Sequence, residues 1–195
     1  MALRPDLAII ADAVPAASRV LDVGCGDGEL MVALRNKGVD ARGLEIDAAN
    51  VTAAIARGQS VVQGDANRDL ADYPDDAFDY AILSQTLQTT ERPDRVVGEL
   101  LRIAPRAFVS FPNFAHWRVR LSLLWTGRMP VTRLLPVAWY ETPNIHHVTV
   151  RDFRELLREK GIRVEGAWYL SGDKPTSDAA ASWRAEHAIF LIARG

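Results

Sequence analysis

The sequence predicts an α/β fold: a mostly parallel sheet with helices on both faces. Three observations carry the prediction. Short apolar, strand-like runs alternate with segments of helical pattern. A glycine-rich turn, Asp22-Val23-Gly24-Cys25-Gly26-Asp27-Gly28, separates the first such run from the helix after it. An acidic residue, Glu45, closes the second run. Together they describe a Rossmann-like sheet whose ligands bind at the carboxyl ends of its strands.

The elements follow in order. Residues 1–15 read as a short helix opening near Pro5, and Asp6 and Asp12 among its apolar residues are wrong for a signal peptide. Residues 19–24 (RVLDVG) form the first buried strand. Residues 29–37 form a helix with Leu30, Ala33 and Leu34 on one side, stopped by Gly38. Strand 41–47 and helix 48–57, closed by Gly58, come next, then strand 60–65 and strand 78–83. A helix over 94–103 leads into the fifth strand, 106–111. Residues 112–147 break the rhythm, with a short helix expected over 117–125. The alternation resumes with a helix at 151–160 and a strand at 163–169. A polar loop at 171–182 and a last strand at 188–193 complete seven strands, the last two pairing like a hairpin.

The 195 residues suffice for one domain, and the whole chain, 1–195, is expected to form it. With 48% apolar and 25% charged residues, the composition is that of a soluble globular protein. No stretch approaches the roughly 20 uninterrupted apolar residues of a membrane helix. A single cysteine excludes an internal disulfide, and together with the missing export signal it points to the cytoplasm. Charge is uneven along the chain. Residues 1–100 hold 9 Lys and Arg against 17 Asp and Glu, whereas residues 101–195 hold 14 against 8.

Glycines in a strand-to-helix turn let the backbone bend sharply and let a ligand approach where a Cβ would collide. The helix that follows aims its unpaired N–H groups at that ligand. A dinucleotide turn of the form G-x-G-x-x-G would need glycine at position 29, which is Glu29, so nicotinamide cofactors are disfavoured. The tighter spacing of Asp22, Gly24, Gly26 and Gly28 resembles motif I of class I methyltransferases, which implies S-adenosylmethionine or S-adenosylhomocysteine as cofactor. Glu45 lies 19 residues after Gly26, where a carboxylate accepts both ribose hydroxyls of a nucleoside, with Ile46 beside it. Asp47 reads as the cap of the second helix. Asp65 matches the family position that meets the adenine amino group, flanked by Gly64 and Ala66; the alternative is a turn cap. Ser84 and Gln85 close the fourth strand, at the edge expected to hold the methionine part of the cofactor. Cys25, held between two glycines, reads as an inert packing residue that lines the same turn. The four histidines, His116, His146, His147 and His187, have no metal-ligand spacing and read as structural or substrate-contacting. No catalytic residue is identifiable.

The insertion at 112–147 interleaves Arg118, Arg120, Arg128 and Arg133 with Trp117, Trp125, Trp139 and Tyr140, and no acid occurs between Glu99 and Glu141. Three readings stay open. Basic residues with stacking aromatics suit single-stranded nucleic acid, although a pI near 6.1 speaks against it. The same residue types are enriched in protein interfaces. A lid over the cofactor with solvated arginines is the third. Base methylation through the machinery of the amino-transferring nucleic-acid methyltransferases is disfavoured, because the segment after the fourth strand, Leu83-Ser84-Gln85-Thr86-Leu87-Gln88, lacks their Asn/Asp-Pro-Pro-aromatic motif.

The blocks VLDVGCGDGEL, SVVQGDANRDL, FDYAILSQTLQ, VSFPNFAHWRVRL, GRMPVT and WYETPNIHHVTVRDF resemble, in this order, the methionine-biosynthesis protein MetW family. The resemblance implies a small cytoplasmic bacterial protein of methionine synthesis. It implies a partnership with MetX, the homoserine O-acyltransferase, as its activator, and it brings no defined methyl acceptor. A catalytic methyltransferase acting on a small metabolite is the alternative.

Overall fold

The computed structural model describes residues 3–132 and 135–195. Eight strands form one sheet in the order β3-β2-β1-β4-β5-β8-β6-β7. Strands β1 (Arg19–Val23), β2 (Asp40–Glu45), β3 (Ser60–Gln63), β4 (Tyr80–Ser84) and β5 (Arg106–Pro112) run parallel. Strand β8 (His187–Ala193) is inserted antiparallel between β5 and β6 (Arg163–Ser171). The strand count corrects the expected seven. A two-residue edge strand, β7 (Lys174–Pro175), pairs with the end of β6 inside the segment expected to be a loop. The same segment also carries a helix, Asp178–Arg184.

Both faces of the sheet are covered, and alternation along the strands shows how. In β8, Phe190 and Ile192 enter one core and Ile189 the other; in β5, Val109 and Phe111 part from Phe108 in the same way. The first core is roofed by helices α4 (Pro93–Ile103), α6 (Val150–Glu159) and α7 (Asp178–Arg184). The second lies under α1 (Pro5–Ala13) and α2 (Glu29–Asn36), through Leu7, Ile10, Leu30 and Leu34. Proline opens α1 and α4, where its missing N–H costs no hydrogen bond. Thr149 caps α6 by accepting from the Asp152 N–H at 3.1 Å. Helix α3 (Ala48–Ala56) follows β2 and is capped as expected: Asp47 Oδ1 accepts from the N–H groups of Ala49 and Asn50 at 2.8 and 3.0 Å. Helix α5 (Trp117–Thr126) belongs to the insertion and lies outside both cores. No helix among the described residues is long and apolar enough to cross a membrane.

Candidate functional site

The carboxyl ends of β1 and β2 bring the glycine turn and Glu45 together. Gly24, Gly26 and Gly28 all have left-handed backbones, with φ of 71°, 55° and 79°, which an L side chain adopts at a cost of roughly 1–2 kcal/mol each. Their surroundings differ. A Cβ on Gly24 would stand 2.4 Å from Thr86 Oγ1, and one on Gly28 would stand 3.2 Å from the Ala54 Cβ. A Cβ on Gly26 would meet nothing within 4 Å. Packing therefore demands glycine at 24 and leaves little room at 28, whereas the side of Gly26 that lacks a side chain faces open space. The turn rests on β2, because the Gly24 and Cys25 N–H groups donate to the Leu44 carbonyl at 2.7 and 3.3 Å.

Glu45 is buried, and its carboxylate is fixed rather than mobile. Oε2 accepts from the Gly26 N–H at 2.8 Å and Oε1 from the Asp47 N–H at 2.9 Å. A carboxylate offers about four acceptor positions. Each oxygen thus keeps a lone pair for a further donor. Beside it, Ile46 is 63% exposed, an apolar surface at the same strand end.

Asp22 lies in β1 beneath the turn and is buried. Its pKa is pushed up to about 7, first by burial and then by the Glu45 charge, with Arg4 pulling the other way. Burial, reinforced by Asp22 and Glu45, also drives the Cys25 thiol far above its ordinary value, so it is no nucleophile at neutral pH.

The second group of expected residues divides. Gly64 has no room for a side chain, since a Cβ would stand 2.6 Å from Asp69 Oδ2 and 2.7 Å from Leu44 Cδ1. Asp65 sits two residues past the end of β3 and acts as a turn cap: its Oδ1 accepts from the backbone and side-chain nitrogens of Asn67, both at 2.8 Å. Ala66 borders a small cavity of about 150 Å³ with Asn67, Arg92 and Glu99. Ser84 and Gln85 end β4 in a hydrogen-bonded cluster. Ser84 Oγ lies 3.0 Å from Ser110 Oγ and 3.3 Å from Asp6 Oδ2, and Arg4 reaches Asp6 at 3.2 Å. The Gln85 backbone is left-handed, φ 54°, and its N–H donates to the Ser110 carbonyl at 2.9 Å.

Arg4 and Asp6 escaped the sequence reading. Their signal was a carboxylate on the apolar face of α1, where Asp6 is buried beside Leu7 and Ile10. With Gln85, Gly172, Glu186 and His187 they line a cavity of about 290 Å³ at the carboxyl edge of β4. Neither Phe114 nor Trp117 lines it.

The insertion leaves β5 through Asn113, which is wholly buried. Its amide nitrogen donates to the carbonyls of Ala181, Ser182 and Ala185, and its oxygen accepts from the N–H groups of Ala115 and Val150. His116 is buried too, and its Nδ1 accepts from the Arg118 N–H at 3.4 Å, capping α5; burial lowers its pKa. The His146 ring reaches the Glu91 carbonyl at 3.3 Å, and His147 packs edge-on against Phe114. His187 opens β8 opposite Pro112. Among the described residues no group of three or more His, Cys, Asp or Glu could hold a metal ion. Phe114, Val119 and Leu135 form a small core of their own. Beside it a cavity of about 430 Å³ is lined by Phe114, Met129, Leu135, Val137, Trp139 and His147. Arg118 lies over the Trp117 ring at 5.2 Å and Arg120 over Trp183 at 5.1 Å; Arg133 lies outside the described residues.

Comparison with known proteins agrees with this architecture. The chain superposes on a SAM-dependent methyltransferase from Archaeoglobus fulgidus with a TM-score of 0.72 at 15% identity, covering 96% of this chain and 91% of that one. The S-adenosylmethionine-dependent methyltransferase of Mesorhizobium loti gives 0.72 at 18% identity, over 97% and 98% of the two chains. At these identities the likeness is one of fold, and the fold is that of class I methyltransferases. In sequence, the chain is 35% identical to the bifunctional methionine biosynthesis protein MetXA/MetW of Rhodopirellula baltica. The match covers 98% of this chain and 33% of that protein, so the chain spans about a third of its relative's length. The family model for methionine biosynthesis protein MetW matches residues 4–192. A match over nearly the whole chain, on a sheet of this order, places the protein in the methionine biosynthesis protein MetW family.

Proposed function

We propose that this protein binds S-adenosylmethionine or S-adenosylhomocysteine in the crevice above Gly26, and that it serves methionine synthesis in the cytoplasm as partner and activator of homoserine O-acyltransferase, MetX. One observation carries the cofactor reading. The open side of Gly26 faces no protein atom within 4 Å, while the Glu45 carboxylate is held against that same residue by its backbone N–H. The space suits an adenosyl group and the carboxylate suits a ribose.

Asp22, Gly24, Cys25 and Gly28 shape the turn. Glu45 takes the ribose hydroxyls with its remaining lone pairs, in charge-assisted bonds of roughly 1.5–3 kcal/mol each. Ile46 offers its exposed side chain to a face of the adenine. Gly64, Asp65 and Ala66 border the base, Asp65 through the oxygen that does not cap the turn. Ser84 and Gln85 stand at the methionyl end. Once bound, the cofactor's sulfonium carries an activated methyl group.

Support for the partner comes from the Rhodopirellula relative, whose name joins MetXA and MetW in one bifunctional protein. Two measurements test the proposal. Calorimetric titration with S-adenosylmethionine and S-adenosylhomocysteine should show saturable binding, and silence with both overturns the cofactor reading. The chain should co-purify with homoserine O-acyltransferase and raise its rate; no complex and no rate change overturn the partnership.

The polar cavity beside Gln85 favours a second reading, a methyltransferase acting on a small metabolite lodged there. S-adenosylhomocysteine formed in the presence of a metabolite extract supports it, and its absence counts against it.

A further inference from the structure

A ten-residue helix with six large apolar or aromatic side chains normally buries them, yet of the residues of α5 only Val119 is buried. Leu124 and Trp125 are each 76% exposed, and Trp139 is 74% exposed farther along the same insertion. Val131, Tyr140 and Ile145 are exposed as well. Exposed large apolar groups concentrated in one segment mark an interaction surface, because a protein that stays free in water keeps such patches small. The surface also has a recess. The 430 Å³ cavity between Phe114, Val137 and Trp139 is apolar in lining and large enough for an aromatic side chain.

The charge around this face selects its occupant. Arg118 and Arg128 are exposed, as is Arg120, and the sequence holds no acid between Glu99 and Glu141. Two copies of the face related by a twofold axis would set arginines against arginines, which disfavours self-pairing. A membrane-seeking helix segregates its apolar and basic residues onto opposite faces, which α5 does not. A protein surface with an apolar centre and an acidic rim fits both the patch and its charge.

We infer that residues 117–132 and 135–145 form the docking face for such a surface on another protein, and that the cavity receives one large apolar side chain of that partner. The identity of the partner rests on the function proposed above: it is the homoserine O-acyltransferase. None of the residues proposed above to hold the cofactor belongs to this face.

Binding to purified homoserine O-acyltransferase, followed by interferometry, tests the inference. The double variant Trp125→Ala/Trp139→Ala should weaken the complex by about 30-fold or more, as buried aromatic anchors do. Because both side chains project into solvent, melting temperature and S-adenosylhomocysteine affinity should stay at wild-type values. Arg128→Glu should slow association and flatten its salt dependence. Val137→Trp, which fills the recess, should weaken binding by about 10-fold or more. If the wild type binds the acyltransferase and all three variants bind equally well, the docking face is wrong and the proposed partnership stands. If the wild type does not bind, the partnership itself fails. A wild-type dimer that Trp125→Ala/Trp139→Ala dissolves overturns the inference in favour of self-association.

Discussion

Replacing Gly26 by alanine separates two demands that glycine turns usually mix. The left-handed backbone, φ 55°, makes any L residue there cost about 1–2 kcal/mol. No packing cost is added, because the new methyl group meets no atom within 4 Å. For a chain of this size that cost lowers the melting temperature by about 2–8 °C. The same methyl group projects into the space assigned to the adenosyl group, so cofactor affinity should fall by at least about 100-fold, a loss of ~2.7 kcal/mol. Gly38→Ala is the matched control. Its φ is 83°, its surroundings are equally open, and it sits at the far end of α2, so it should lose similar stability and keep full affinity. Gly24→Ala provides the opposite contrast: with Thr86 Oγ1 only 2.4 Å from the added carbon, it should unfold well before Gly26→Ala does. Calorimetry with S-adenosylhomocysteine and thermal melts measure both quantities. An affinity for Gly26→Ala within threefold of wild type would refute the placement of the ligand.

Three further outcomes follow from the buried groups. Asp22 titrates near 7 in the folded chain and near 3.9 unfolded, so the folded state holds the proton more tightly and its stability falls as pH rises from about 4 to 7. Relative to Asp22→Asn, the wild type should lose up to about 4 kcal/mol across that window and nothing more above it; urea melts at pH 5, 6, 7 and 8 that run parallel for the two proteins would dismiss this. Asn113→Ala removes the donor to the Ala185 carbonyl and the acceptor of the Ala115 and Val150 N–H groups in the interior, and should cost about 3 kcal/mol or more in urea denaturation, against a loss below 1 kcal/mol if water replaces the amide. Cys25 should resist a thiol reagent at pH 8 in the native protein and react at once in guanidinium, and rapid native labelling would contradict its burial and raised pKa.

Much of this could be read from the residues because local signals and the fold agree. Alternating apolar runs located β1 to β5, β6 and β8, and the sequence already paired the glycine turn with Glu45, which the Gly26–Glu45 hydrogen bond brings together. The departures have tertiary causes. Strand β7 is two residues long and forms only because β6 offers an edge, so no periodicity announces it. Helix α7 did leave a trace in Ser177-Asp178-Ala179-Ala180-Ala181, but seven residues are too few to form a helix unaided; Ala181 packed into the core supports it. Asp65 served two chemistries equally well on paper, and the Asn67 donors at 2.8 Å reveal its capping role. The Arg4–Asp6–Ser84–Ser110 cluster joins residues separated by up to 106 positions, which no local pattern connects.

The two ends of the insertion meet. The Phe114 N–H donates to the Val148 carbonyl at 3.1 Å, and the Asn113 side chain bonds the Val150 N–H beside it. A segment whose entry and exit are stitched together behaves as a cassette. The cost of closing such a loop grows only slowly with its length, so its exposed turns can lengthen or shorten at little cost while the stitches hold. Under the docking proposal, recognition can therefore change while the site proposed above Gly26 is left alone. A graft of this cassette onto another sheet of the same order would have to keep, besides Asn113, Phe114, Val148 and Val150, the Gln88 carbonyl that accepts from the Ile145 and His146 N–H groups and the Ser182 hydroxyl that meets Arg120.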